Sequence, residues 1–321
     1  MKSWACGVPG VLLAAALLAV TPAAAQEKAG DGWYPSAYGA EDTQGAVGTL
    51  GPEDAKRAAA LVKTGKVYQL GGVTGRDTPA YGHRSYNLIL YPHAGDGTGA
   101  PMGANKATAH DDYLATWLGI GTQIDGFGHF GIDHRYYNGK KAQEIFSPHG
   151  AKIFGAENIP PVVTRGVLLN MAAHFGKDRL EAGTVFNTKE IEEAAKAQGV
   201  DIRKGDVVLF HTGWQELAEH DPKKFLGGEP GLGLGGARYL VEKGAVAVGA
   251  DTWGLEVLPN PDETVAFPVH GFLLAKSGVH ILENIQTAEL AADGAHEFMF
   301  VLGVPRFEGA VQMVINPVAI R

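Results

Sequence analysis

The sequence predicts an α/β domain built on a mixed sheet. In the second half of the chain, short apolar segments typical of buried strands alternate with segments of helical period. Apolar residues make up 45% of the chain, which is enough to bury a large core. Neither a Pro/Ser-rich tract nor a run of like charge separates two domains. We therefore expect a single compact domain over residues 51–321.

The segment before this domain has the pattern of an export signal. Lys2 is followed by an apolar run from Val11 to Val20 and then by small residues up to Ala25. The apolar run has about half of the ~20 residues that are needed to span a bilayer. We expect cleavage near Ala25, at the end of a 1–25 signal peptide, and a periplasmic or secreted protein without a membrane anchor. Residues 26–50 have no helical or strand period and are predicted to form an N-terminal arm packed on the domain.

The individual elements follow from local patterns. Pro52 at a first helical position, with Glu53 and Asp54 at the positive end of the helix dipole, predicts a helix that runs to about Lys63. Strands are predicted at 67–70 and 86–91. The later predicted strands are 166–170, 206–211, 245–250, 280–282, 298–302 and 310–315. Of the later predicted helices, one follows the N-cap Asn187 and ends at Gly199, and two others span 236–243 and 273–276.

Charge and cysteine content limit the function. The net charge is −8 and no Lys/Arg-rich stripe is present, which argues against nucleic acid or an anionic membrane as a partner. The single cysteine, Cys6, lies within the predicted signal peptide, so the mature chain has no thiol. Disulfides, zinc-thiolate sites and cysteine nucleophiles are thereby excluded. The remaining expectation is a small-molecule substrate on which His, Asp, Glu, Gln and hydroxyl side chains act.

One stretch concentrates such residues around a glycine-rich centre. It contains His110, Asp111, Asp112, Gln123, Asp125, His129, Asp133 and His134. In extended backbone Gln123 and Asp125 point to the same side, as neighbouring ligands of a hard cation would. His129 follows further glycines and can fold back over that point. On spacing alone, a glycine-rich turn with polar decoration is the favoured interpretation.

A second group lies near the end of the chain. His270 stands at the entry to a predicted helix, and Glu283 follows an apolar strand. An unpaired carboxylate is costly to bury, so Glu283 requires a partner, and a metal shared with His270 would provide one. A helix-capping histidine and an exposed glutamate at the rim are the alternative.

Together these two groups resemble the metal-dependent cyclases, a family that includes bacterial kynurenine formamidase and isatin hydrolase. The family signature is His-x-Gly-Thr-His-x-Asp-x-x-x-His, and residues 119–129 read Gly-Ile-Gly-Thr-Gln-Ile-Asp-Gly-Phe-Gly-His. The pattern Pro-x-His-x-x-x-Leu followed by Leu-Glu-Asn matches at 268–274 and 282–284. Further matches lie at 136–139, 165–169, 205–209, 212–214 and 249–252, so the resemblance extends over nearly the whole mature chain.

The resemblance implies a swivelling β/β/α fold, a homodimer or homotetramer, and hydrolysis of a C–N bond (amide, formamide or cyclic imide) or a lactone. One or two divalent ions are implied as cofactors. Asp125, His270 and Glu283 are implied as metal ligands with Gln123 assisting, and His129 as the general base that acts on a metal-activated water.

The chain departs from the family at two positions. Gly119 and Gln123 replace both histidines of the first metal subsite, so that subsite is either lost or rebuilt, as in a variant subgroup that carries Gly-Thr-Gln. Mixed oxygen and nitrogen ligation without sulfur suits Mn²⁺ or Zn²⁺. His110, Asp111, Asp112 or His134 could fill the gap, and the sequence does not rank them. An exported binding protein of the same fold, without metal or catalysis, is the alternative function.

The substrate pocket is the least defined part of the prediction. His211 stands at the end of a predicted strand and is a candidate pocket residue. Trp117 and Phe127, together with Phe130 and Trp253, are candidate walls for a flat aromatic substrate, with core packing as the alternative for each.

Overall fold

The computed structural model describes residues 32–92 and 100–321. The predicted signal peptide and the first residues of the predicted arm lie outside this range. Residues 33–321 form one compact unit. Among the described residues, no helix is both long and apolar enough to cross a membrane.

The strands of the described residues form one large mixed sheet and three small ones. They are β1 Val67–Gln69, β2 Tyr86–Pro92, β3 His110–Thr116, β4 Gln123–Asp125, β5 Phe146–Ser147, β6 Gly150–Ala151, β7 Val162–Asn170, β8 Val185–Phe186, β9 Val207–His211, β10 Gly231–Leu232, β11 Ala247–Ala250, β12 His280–Glu283, β13 Glu297–Leu302, β14 Gln312–Val314 and β15 Val318–Ile320. The large sheet has the order β1-β15-β13-β7-β9-β11-β12-β4-β14. Its central strands β7, β9, β11 and β12 are parallel, and the strands on either side are antiparallel.

Helices alternate with the central strands. They are α1 Pro52–Ala59, α2 Ala142–Ile145, α3 Met171–His174, α4 Thr188–Ala197, α5 Leu217–His220, α6 Pro222–Leu226, α7 Leu234–Lys243, α8 Pro268–His270 and α9 Ala288–Ala292. Short 3₁₀ turns span Gly45–Thr49, Tyr137–Gly139, Ala156–Asn158 and Trp214–Glu216, and a π-helical turn, Gly271–Ser277, continues α8. The predicted α/β class with a mixed sheet is confirmed.

The predicted strands and helices lie within a few residues of elements of the structure, whereas several short elements, among them β3, β5 and β6, were not predicted. The start of α4 follows the predicted capping box, because the Asn187 N–H donates to Glu190 Oε2 at 2.9 Å. The first helix is shorter than predicted and ends at Ala59 rather than Lys63. The N–H groups of Thr64 and Gly65 bind the Arg321 carbonyl at 2.9 and 2.7 Å, so the chain turns away to join β1 to β15.

The described part of the arm packs on the domain and includes a 3₁₀ turn that its sequence did not predict. Ala46 and Val47 are buried, and the Ala46 N–H donates to the Gly278 carbonyl at 2.8 Å. The Tyr137 hydroxyl donates to Asp42 Oδ2 at 2.7 Å. These contacts hold the arm against the segment that follows His129 and against the end of the π-helical turn.

The strand β3 lies outside the main sheet. It pairs only with β2 among the described strands, and His110, Asp111 and Asp112 on it are exposed. The sequence placed these three residues in the same glycine-rich loop as Asp125. The loop is in fact divided, because its first part forms this exposed hairpin and only 123–129 reaches the main sheet.

Candidate metal centre

The site is assembled at one edge of the large sheet, where β4 lies between β12 and β14. Gln123 is directly opposite Glu283 on β12, and Asp125 is directly opposite Gln312 on β14. Opposite residues of antiparallel strands have Cβ atoms about 4.5–5.5 Å apart and share a face of the sheet. The pairing therefore gathers two carboxylates and two amides into one cluster.

Asp125 is the centre of the cluster and is fully buried. Its Oδ1 accepts a hydrogen bond from Gln312 Nε2 at 2.8 Å. Its Oδ2 is buried and has no hydrogen-bond partner among the described residues. That oxygen lies 3.7 Å from His270 Nε2 and 3.8 Å from His129 Nε2. A buried carboxylate oxygen left in this way requires a cation or a proton to compensate its charge.

His270 is held rigidly by a second buried carboxylate. Glu256 accepts from the backbone N–H groups of Val269 and His270 at 3.2 and 3.0 Å, and it lies 2.6 Å from His270 Nδ1. The glutamate thus caps α8 and fixes the ring, so that Nε2 faces Glu283 and Asp125. Burial alone would lower the pKa of His270, but the hydrogen bonds to Glu256 and Glu283 raise it to about 10. A cation that binds Nε2 must displace this proton.

Glu283 and Gln123 are joined directly. Gln123 Nε2 donates to Glu283 Oε2 at 2.5 Å, and Glu283 Oε1 lies 3.2 Å from His270 Nε2. Burial, followed by repulsion from Asp125, raises the pKa of Glu283. A buried carboxylate whose pKa is raised by burial and by a neighbouring carboxylate forms an environment that favours a cation.

The chemistry of these donors fits a divalent ion. Asp125, His129 and His270 each offer one ligand atom, and these three atoms lie within 4.8 Å of one another. Carboxylate oxygen with imidazole nitrogen suits the borderline divalent metals. Glu283 and Gln123 are one hydrogen bond away from these donors, so the predicted ligands Gln123, Asp125, His270 and Glu283 all lie in the cluster. Whether each coordinates the ion stays a prediction.

His129 differs from His270 in its surroundings. Its side chain is 21% exposed, whereas that of His270 is 5% exposed. Burial lowers the pKa of His129 more than the nearby Asp125 carboxylate raises it. The ring is therefore neutral at pH 7, as a proton acceptor or a metal ligand must be.

A small pocket of about 180 Å³ opens onto the cluster. Its polar lining consists of Arg84, His129, His270, Glu283 and Gln312, and its aromatic lining consists of Tyr81, Phe130, Trp253 and Phe267. The Tyr81 and Trp253 rings are stacked, with centroids 5.1 Å apart and planes 12° apart. The pocket thus combines a charged floor with an aromatic wall.

Three predicted pocket residues lie elsewhere. His211 lines a neighbouring cavity of about 980 Å³, where its Nδ1 is 2.8 Å from Thr287 Oγ1 and 3.2 Å from Asp251 Oδ2. Phe127 is buried and stacks on His280 with ring centroids 4.3 Å apart, so it packs in the core. Trp117 is 46% exposed and contacts His83 edge-on. Of the four aromatic residues proposed from the sequence, Phe130 and Trp253 line the pocket.

The residues that complete the cluster were not among those proposed to fill the gap at Gly119. His110, Asp111, Asp112 and His134 are exposed and none lines the pocket. Gln312, Arg84 and Glu256 take part in the site instead. Gln312 reaches the site because β14 pairs with β4, and Glu256 reaches it because it contacts α8. Neither contact can be predicted from the local sequence.

Comparison with known proteins agrees with this geometry. The sequence model of the cyclase family matches residues 68–257, more than half of the chain. The chain belongs to the cyclase family. No curated protein sequence matches it.

The solved structures that it resembles are cyclase-fold proteins. A crystal structure described as a novel cyclase is 27% identical, with a TM-score of 0.80, over 88% of this chain and 98% of that one. Isatin hydrolase A from Ralstonia solanacearum is 16% identical, with a TM-score of 0.60, over 80% and 92% of the two chains. A structure described as a potential metal-dependent hydrolase with cyclase activity is 17% identical, with a TM-score of 0.51, over 79% and 98%. The last two likenesses establish the shared fold alone.

Proposed function

We propose that this cyclase is a divalent-metal-dependent hydrolase that opens a C–N bond of an amide, formamide or cyclic imide, or a lactone, in a small substrate. The observation that carries the proposal is the buried Asp125 Oδ2, which has no hydrogen-bond partner among the described residues and lies between the imidazoles of His129 and His270, which line the pocket. Metal-dependent and isatin hydrolases of the same fold support it.

The residues of the site have separable roles in this reaction. A Mn²⁺ or Zn²⁺ ion held by Asp125 and His270, with Glu283 and Gln123, would polarise the substrate carbonyl and acidify water. His129 is the general base. Its neutral ring accepts a proton as water adds to the carbonyl carbon, and it returns that proton to the departing nitrogen or oxygen. Glu256 keeps the His270 ring in the orientation that presents Nε2 to the site.

The setting of this reaction is part of the proposal. We infer from the predicted signal peptide that the mature protein acts in the periplasm or outside the cell, as a homodimer or homotetramer. Its substrate is then a compound that reaches that compartment.

Chelation followed by metal return tests the hydrolase directly. Purified mature protein loaded with Mn²⁺ or Zn²⁺ is incubated with panels of aryl formamides, cyclic imides and lactones, and the product acid is measured by mass spectrometry. We expect ring opening or deformylation in at least one panel, loss of that activity after EDTA treatment and dialysis, and its return with either metal. A protein that takes up neither metal and leaves all three panels intact would support the binding-protein alternative.

The aromatic wall of the pocket predicts a specific effect on substrate affinity. Trp253→Leu removes the surface on which a planar substrate stacks, and such contacts contribute about 0.5–1.5 kcal/mol, or roughly a 2- to 13-fold change in binding. We expect KM to rise by about this factor with little change in kcat, measured by steady-state kinetics. Trp117→Leu is the matched control, since Trp117 lies outside the pocket. Equal effects of the two substitutions on KM contradict the assignment of the aromatic wall to substrate binding.

A further inference from the structure

The space beside Gly119 is filled by another side chain. An ideal Cβ placed on Gly119 would overlap the side-chain amide of Gln312, with Nε2 at 2.6 Å and Cδ at 2.7 Å. Real Cβ atoms are essentially never found at such distances. Any side chain at position 119 must therefore displace the Gln312 amide, so the glycine and the glutamine form a matched pair.

The Gln312 amide faces the two residues at the centre of the site. Its Nε2 donates to Asp125 Oδ1 at 2.8 Å and lies 3.4 Å from His129 Nε2. A carboxylate can only accept hydrogen bonds, so the amide nitrogen, rather than its oxygen, is the atom that points at Asp125. The NH₂ group is thus placed between the carboxylate and the imidazole.

Gln123 and Gln312 together occupy one side of the Asp125 and Glu283 carboxylates. Gln123 Nε2 donates to Glu283 Oε2 at 2.5 Å and lies 3.5 Å from Asp125 Oδ1. Asp125 Oδ1 is therefore engaged by amide N–H groups, and only Oδ2 is left for a cation. A carboxylate whose two oxygens face different partners in this way cannot bridge two ions unless an amide is first displaced.

A fixed positive charge lies beside Gly119. Arg84 lines the pocket, and its Nη1 donates to the Gly119 carbonyl at 2.5 Å. Arginine is always charged, and like charges at short range repel strongly in a partly buried pocket. Both the amide donors and the guanidinium thus oppose a second cation beside Asp125 Oδ1.

We propose that Gln312, seated in the space left by Gly119, is a positioning residue that holds Asp125 Oδ2 toward a single divalent ion and excludes a second one. The proposal rests on the proposed function only in taking the cluster to be a metal site. Gln312 on β14 thus rebuilds the altered metal subsite, although it is far from the altered motif in the sequence.

Calorimetric titration with Mn²⁺ measures both parts of this proposal without a substrate. The wild-type protein should bind one ion per chain. Gln312→Ala should weaken Mn²⁺ binding by about 10- to 100-fold, the usual cost of removing a group that orients a ligand. In a separate assay with a substrate that the wild type hydrolyses, the same variant should lower kcat rather than raise KM. Gln143→Ala, at an exposed glutamine, should bind Mn²⁺ like the wild type.

Gln312→Glu keeps the size of the side chain but replaces an amide donor by a carboxylate beside Asp125. We expect this variant to bind two Mn²⁺ ions per chain, and it covers the case in which the alanine variant does not fold. Two ions in the wild type, or one ion in Gln312→Glu, would overturn the exclusion of a second ion. A Kd for Gln312→Ala equal to that of Gln143→Ala would overturn the positioning role.

These outcomes are independent of the substrate. One ion per wild-type chain with weakened binding in Gln312→Ala upholds the role of Gln312 even when no formamide, imide or lactone is hydrolysed. Hydrolysis by a wild-type chain that holds two ions upholds the proposed function and removes the role of Gln312.

Discussion

Asp125→Asn is expected to release the divalent ion and, with it, turnover. The substitution keeps the size of the side chain but removes the charge of the oxygen that lies between His129 and His270. Loss of a group that only orients a metal ligand lowers metal affinity by about 10- to 100-fold, so loss of a central ligand should lower it by at least about 100-fold. Metal analysis of the dialysed proteins by plasma mass spectrometry, alongside turnover, measures both losses.

The control for this variant comes from the exposed hairpin. Asp112→Ala removes a carboxylate that the sequence alone left as an equal candidate ligand, and it should leave metal content and turnover unchanged. The metal-free Asp125→Asn protein should unfold at or above the temperature of the metal-free wild type, because repulsion between Asp125 and Glu283 is relieved. Equal metal content in Asp125→Asn and the wild type would remove Asp125 from the site.

The parts of the site that the sequence predicted are those set by short patterns. The alternation of Gln123 and Asp125 on an extended segment is a property of neighbouring residues, and the structure places both on β4. His129 returns over Asp125 after glycines, as its spacing suggested. Glu283 ends an apolar strand, and the cost of burying its charge predicted a partner. In each case the physical cause lies within a few residues of the effect.

The parts that the sequence missed depend on contacts between distant elements. Gln312 is 187 residues from Asp125, and only the pairing of β14 with β4 makes them neighbours. Glu256 orients His270 across a turn whose course is not encoded locally. Trp117 and Phe127 are both aromatic residues near the motif, but Trp117 lies on the surface and Phe127 packs on His280. Their residue type therefore did not predict how exposed they are. Local chemistry identifies candidate residues, but strand order decides which of them meet.

His129→Ala is expected to lower kcat/KM by about 10²- to 10⁴-fold, the usual contribution of a general base. The wild-type pH profile should identify the same group. Burial lowers the pKa of His129 below its ordinary value of 6.5, so the neutral base is present at and above neutral pH. Activity should therefore be level above pH 6.5 and fall as the pH drops through this lowered pKa, where the ring gains a proton. The exposed His149 provides the control, and His149→Ala should retain both the rate and the profile.

The metal content of His129→Ala decides between the two roles that the geometry allows this residue. His129 Nε2 lies within reach of the same point as Asp125 and His270, so it could coordinate the ion, yet its side chain is the more exposed of the two imidazoles and faces the pocket. A base removed from beside an intact site leaves the ion in place, so we expect the variant to hold as much metal as His149→Ala while turnover falls. If the ion is lost together with turnover, His129 is a ligand, and the proton must be accepted by another group of the pocket.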